Sequence, residues 1–147
     1  RIGMRGLLTA VLALWASSSA AQGGHEPARG TAERRALMDA MRPQAELIFG
    51  PPVEFVVSRL RVAGDLAFAS VVAQRPGGGA IYIQATPGWQ SGYFMPDADW
   101  TAGQALLRRT GSGWAVAAMY YGATDVWWAE PRFCEGFRAV IPEACNG

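Results

Sequence analysis

From residue 31 to residue 49 the apolar positions Leu37, Met41, Ala45 and Ile48 recur at helical spacing. Thr31 is placed to cap that helix and Glu33 to meet the positive end of its dipole. Pro43 removes an amide donor and crowds the preceding turn, which predicts a kink near Arg42, and Gly50-Pro51-Pro52 ends the element. From Val53 the period falls to two. Val53, Phe55 and Val57 share one face, then Val56, Leu60 and Val62 share another, so the phase slips near Ser58 and predicts a bulge or strong bend.

Gly64-Asp65 reads as a turn. In the next strand Leu66, Phe68 and Val72 oppose Ala67, Ala69, Val71 and Ala73, and the alanine-rich face invites close approach by the helix. Arg75-Pro76-Gly77-Gly78-Gly79 is a further turn, with a third strand predicted over Ala80–Gln84. Residues 86–103 carry no usable period. Residues 104–110, the turn Gly111-Ser112-Gly113 and residues 114–121 read as a hairpin. Within its second strand the alternation puts Tyr120 with Trp114, Val116 and Ala118. It puts Tyr121 with Ala115, Ala117 and Met119, so one tyrosine should meet the helix. Thr124-Asp125 would cap a short helix before Pro131, and Trp127 and Trp128 on it cannot both face inward because neighbours are separated by about 100°. The order predicts an α+β fold: a kinked N-terminal helix on a curved antiparallel meander of four to five strands, then short C-terminal helices.

The first residues change the compartment. A basic start, the apolar run Leu7–Trp15 and the small residues Ser17–Ala21 have the pattern of a secretory signal peptide over residues 1–21, with Met4 as the expected start. The run falls short of the ~20 residues a membrane-crossing helix needs. Residues 22–30, rich in Gly, Pro and charge, read as a flexible leader, and residues 31–147 as a single domain. The expected location is periplasmic or secreted, with no membrane span once the signal is removed. There Cys134 and Cys145 are expected to form a disulfide.

Charge and composition narrow the chemistry. Of 13 basic residues, removal of Arg1 and Arg5 leaves 11 against 12 carboxylates, a formal charge of −1 and no basis for nucleic-acid binding. The chain has no lysine, which excludes Schiff-base and P-loop lysine chemistry. Its single histidine, His25, lies in the leader, so a serine triad, a cysteine–histidine pair and the usual zinc or copper sites lack a partner. No cofactor or metal is expected. Asp97 and Asp99 read as turn residues in the long loop.

At this point the stretches "RRALMDAMRP", "PVEFVVSRLRVAGDLAFASVVAQRPGG" and "ALLRRTGSGWAVAAMYYGATDVWW" carry a resemblance. They are similar to a family of small exported proteobacterial proteins of unassigned function, and through it to the cystatin-like and NTF2-like superfamily. The resemblance implies a sheet wrapped on a helix and an exported location, and no catalytic residue. The family pattern has Trp where this chain has Leu66.

Two functional readings follow. The first is an exported noncatalytic module that binds a partner protein or small apolar ligand through the loop aromatics Trp89, Tyr93, Phe94 and Trp100, which supply large contact area with little rotamer entropy. The same residues could instead fold back as a lid on the core. The alternative is an enzyme resembling ketosteroid isomerase, with Asp125, Tyr82 and Tyr120 in a conical pocket.

Overall fold

A computed structural model describes residues 24–146; the expected signal peptide, residues 1–21, lies outside the described residues. Helix α1 spans Ala32–Phe49, with Thr31 at its N-cap accepting the Arg34 amide at 3.3 Å. Pro43 lies inside it and the helix continues through to Phe49. Gly50, at φ 76°, closes it with its own amide on the Glu46 carbonyl at 2.9 Å, a conformation open to glycine without a Cβ penalty. All four residues of the predicted apolar stripe are buried.

Four strands follow: β1 (Glu54–Ala63), β2 (Leu66–Gln74), β3 (Ala102–Thr110) and β4 (Gly113–Tyr121). They form one antiparallel sheet in the order β1-β2-β3-β4. The register shifts between Val57 and Arg59, which leaves Ser58 as the extra residue that the phase slip predicted. A third strand over Ala80–Gln84 is not observed. β3 pairs directly with β2, so the place beside β2 is already filled. The intervening chain instead buries Ile81 and Ile83 without joining the ladder. It then forms a single 3₁₀ turn, Ile83–Ala85, and a short helix α2 (Pro87–Gln90) capped by the Thr86 side chain.

Both faces of the sheet are covered, by different parts of the chain. On one face Ala67, Ala69, Ala73 and Ala105 let Leu37, Met41 and Ala45 of α1 approach closely, as the alanine-rich face implied. On the other, Phe68 and Leu106 pack against Trp127, Phe137, Val140 and Ile141. This second layer consists of a 3₁₀ turn (Trp127–Ala129), helix α3 (Pro131–Phe137) and a final 3₁₀ turn (Pro142–Ala144). The Cys134–Cys145 disulfide closes it on itself.

The alternation predicted for β4 holds only to a second bulge. Leu106 faces Ala118 while Leu107 faces Val116, so Ala117 is extra and the phase inverts. Tyr121 therefore joins Trp114 and Val116 on the helix side, and Tyr120 joins Ala118 on the opposite side. Tyr121 is 3% exposed and meets Phe49 edge-on at 4.9 Å.

The leader also takes a defined place over residues 24–30. His25 and Val62 exchange two backbone hydrogen bonds of 2.8 Å, which lays the leader along the outer edge of β1. Pro27 is buried. It has no amide to continue the ladder, and the chain turns through Ala28–Thr31 into α1.

Candidate functional site

α1 lies closer to β4 than to β1. That offset opens a groove of about 420 Å³ between the N-terminal half of the helix and the segment Glu54–Val57. Residues 35, 38, 39 and 42 fall on one helical face and form one wall, with Arg29 and Arg34 at its end. Four arginines thus line the groove against two carboxylates, Asp39 and Glu54.

Their partners set what is left over. Arg34 donates to the Pro27 carbonyl at 3.0 Å and pairs with Glu26 at 3.6 Å, which fixes the exit of the leader. Arg42 pairs with Asp39, donates to the Val53 carbonyl at 3.2 Å and places its guanidinium 5.9 Å from the Phe55 ring. Glu54 is turned to the Gly77 amide at 3.0 Å. The guanidiniums of the exposed Arg29 and Arg35 make no hydrogen bond or ion pair among the described residues, and residues 1–23 contain no Asp or Glu. The groove therefore holds two uncommitted guanidiniums, planar five-donor groups suited to carboxylates and phosphates.

The strand wall is unusual in a second way. Successive strand residues point to opposite faces, so a groove lined by Glu54, Phe55, Val56 and Val57 together runs along the backbone edge. That edge belongs to the outermost strand, and among the described residues only Val62 pairs on its outer side.

The residues singled out from sequence take other positions. Trp89, Tyr93, Phe94 and Trp100 do come together: Trp89 meets Trp100 at 5.6 Å, Tyr93 meets Phe94 at 5.2 Å and Phe94 meets Phe49 at 5.7 Å. Tyr93, Phe94 and Trp100 are folded back on the main core, with Trp100 Nε1 donating to the Met95 carbonyl at 2.8 Å. Trp89 is 44% exposed, with Met95 of the same loop also exposed, whereas the other three rings are half-buried. Burial raises the Tyr93 hydroxyl above its ordinary pKa, its hydrogen bond from the Tyr121 amide works the other way, and Tyr120 adds a smaller upward push. The Tyr121 hydroxyl is raised further, by burial and then by Tyr93. Both phenols stay neutral packing groups at physiological pH.

Asp125, Tyr82 and Tyr120 are all exposed, with Tyr82 at 72%. Asp125 does not cap the following turn: Val126 stands at the N-cap position and no side chain bonds there. The chain makes only a 3₁₀ turn at this point, too tight and too short to present the amides of an α-helical first turn to Asp125. Trp127 and Trp128 divide as expected, Trp127 buried at 5% and Trp128 half-buried on Phe68 at 5.5 Å. Asp97 and Asp99 are exposed turn residues, Asp97 with a φ of 57°. Among the described residues no group of three or more His, Cys, Asp or Glu could hold a metal ion, and no helix is long and apolar enough to cross a membrane.

Sequence reasoning passed over the arginines. Their signal was the density of "ARGTAERR" followed by Arg42 at helical spacing, but only the position of β1 turns that face into a groove. No protein-family profile, curated protein or solved structure matches this chain.

Proposed function

We propose that this chain is an exported noncatalytic module that binds an anionic partner in the groove between α1 and β1. One observation carries the reading: Arg29 and Arg35 stand exposed on the groove wall without a carboxylate partner among the described residues, beside the apolar surface of Met38, Phe55 and Val57. Guanidiniums kept out of internal ion pairs offer charge-assisted hydrogen bonds to an incoming anion. Export is supported by the signal-peptide pattern and by the disulfide. The likeness to the cystatin-like and NTF2-like superfamily stays part of this reading, resting on the order of a helix followed by an antiparallel meander. The aromatic loop is assigned to packing, and the exposed placement of Asp125, Tyr82 and Tyr120 lends no support to isomerase-like chemistry.

The test is a titration of isotope-labelled, disulfide-intact protein with poly-L-glutamate and poly-L-lysine at low salt, followed by amide shifts. Poly-L-glutamate should perturb Arg29–Arg42 and Glu54–Val57, with a response that fades as salt rises. The response should disappear in the Arg29→Ala/Arg35→Ala variant. Absence of any response, or one confined to Trp89, Tyr93, Phe94 and Trp100, would overturn the assignment and, in the second case, return the site to the aromatic loop.

A further inference from the structure

The anionic partner has a shape as well as a charge. We infer that the groove takes an extended acidic peptide of another protein, which adds as a strand to the outer edge of β1; this rests on the anion-binding reading above. Four features converge on it.

First, the edge is able to pair, since the chain's own leader uses it. His25 and Val62 exchange both backbone hydrogen bonds, which is an antiparallel pair on the side of β1 away from β2. Second, that self-pairing stops early. Pro27 has no amide and the chain leaves the edge at the Ala28–Thr31 turn, so Glu54–Val57 have no strand partner on that side among the described residues. A proline at this point ends the internal ladder and leaves the rest of the edge for another chain.

Third, the groove is as long as a short strand. From Arg34 to Arg42 the helix rises about 12 Å, and four strand residues span about 13 Å. An added strand lying on Glu54–Val57 would therefore run beside the arginine face for its whole length. Its alternate side chains would point toward α1, and acidic ones would reach Arg29 and Arg35. Fourth, the wall is not purely charged. Phe55 and Val57 offer apolar surface inside the groove and Val56, 45% exposed, offers it on the other face of the sheet. A peptide alternating acidic and β-branched residues matches that pattern, with main-chain bonds supplying affinity and alternate side chains supplying selection.

Free carboxylate or phosphate would satisfy the arginines and leave the strand edge unused. The experiment separates the two. An acetylated, amidated octapeptide alternating Val and Glu is titrated into labelled, disulfide-intact protein, alongside the same peptide N-methylated at alternate amides and a Val/Lys counterpart. The Val/Glu peptide should bind, protect amides within Glu54–Val57 from hydrogen exchange, and lose affinity by about tenfold or more on N-methylation, because N-methyl amides cannot complete a ladder. The Arg29→Ala/Arg35→Ala variant should weaken it by a similar factor, and the Val/Lys peptide should not bind. If the N-methylated peptide binds as well as the parent, or poly-L-glutamate binds without amide protection on β1, strand addition is overturned while anion binding stands. If neither the octapeptide nor poly-L-glutamate binds, both fall.

Discussion

The backbone amide of Tyr121, the last residue of β4, donates a 3.0 Å hydrogen bond to the phenolic oxygen of Tyr93, which comes from the loop 28 residues earlier. The loop is thereby fastened to the sheet by a polar contact inside an aromatic cluster. Tyr93→Phe would keep the ring packing and leave the Tyr121 amide without its partner. A buried donor left unpaired costs about 1–3 kcal/mol. Urea unfolding should show that loss, and hydrogen exchange at the Tyr121 amide should speed up. An unchanged unfolding midpoint would mean that water takes the place of the hydroxyl.

Arg75 holds the far end of α1. Its guanidinium donates to the carbonyls of Phe49 at 2.8 Å, Gly50 at 2.5 Å and Pro52 at 3.0 Å. Carbonyls at a helix C-terminus lack intrahelical partners and carry the negative end of the dipole, so a cation with several donors suits them. Arg75→Ala is expected to destabilise the protein by about 2 kcal/mol. Arg75→Lys should recover only part of it, because one ammonium does not span three carbonyls. Equal midpoints for the two variants in thermal unfolding would assign the loss to packing of the stem.

Glu33 links three parts of the chain: its carboxylate accepts from His25 of the leader at 3.0 Å and from Arg109 of β3 at 3.2 Å. The hydrogen bond from His25 is the main cause that holds its pKa below the ordinary 4.5; partial burial opposes it, and Arg109 lowers it further. A carboxylate whose pKa is lower in the folded state stabilises fully above its unfolded value. That contribution fades as pH falls through the folded value. The gap in stability between the native protein and Glu33→Gln should therefore be present at about pH 5.5 and close as pH falls below 4.5, with a size under about 1 kcal/mol for this partly exposed pair. Urea midpoints from pH 7 to 3 measure it. A gap that persists unchanged at pH 3 would rule out the ionic contact as its source.

Gly103 lies across from Tyr121, and a Cβ at residue 103 would fall 2.4 Å from the tyrosine ring. The ring has no room to retreat, since Phe49 packs against it at 4.9 Å. Gly103→Ala should cost about 1–3 kcal/mol through overpacking, and Gly103→Ala with Tyr121→Leu should cost less than the two single changes added together. Additive losses in denaturant unfolding would show that the ring and residue 103 are not coupled.

The two sides of the sheet should respond differently to loss of the disulfide. Cys134 and Cys145, 11 residues apart, both belong to the layer around Phe68, Leu106 and Trp127, whereas α1 packs on the other face. The Cys134→Ala/Cys145→Ala variant should lose about 3 kcal/mol, the chain entropy of a loop of that length. Near-ultraviolet dichroism from Trp127 and Trp128 should weaken while the far-ultraviolet sheet signal persists. Simultaneous loss of both signals at neutral pH would show that the C-terminal layer is required for the sheet itself.

Much of the scaffold was written locally. The stripe Leu37-Met41-Ala45-Ile48, the slip at Ser58 and the Gly111-Ser112-Gly113 turn each act over a few residues, and backbone geometry turns such patterns into a helix, a bulge and a hairpin. The cysteine pair likewise needed only compartment and proximity in sequence. The bulge at Ala117 was hidden because alanines at 115, 117 and 118 fit either face, so the alternation carries no phase mark where it inverts. Residues Ala80–Gln84 alternate as a strand would, but pairing is decided by which segment reaches β2, and β3 fills that place. Sequence alone therefore determined the α+β class and most element boundaries, while tertiary packing decided that Tyr121 rather than Tyr120 meets the helix and that Tyr93, Phe94 and Trp100 of the loop turn inward. It also decided the candidate site. Arg35 and Phe55 line one groove only because α1 sits toward β4 and Glu54–Val57 have no outer strand partner among the described residues, a long-range arrangement to which no short-range periodicity corresponds.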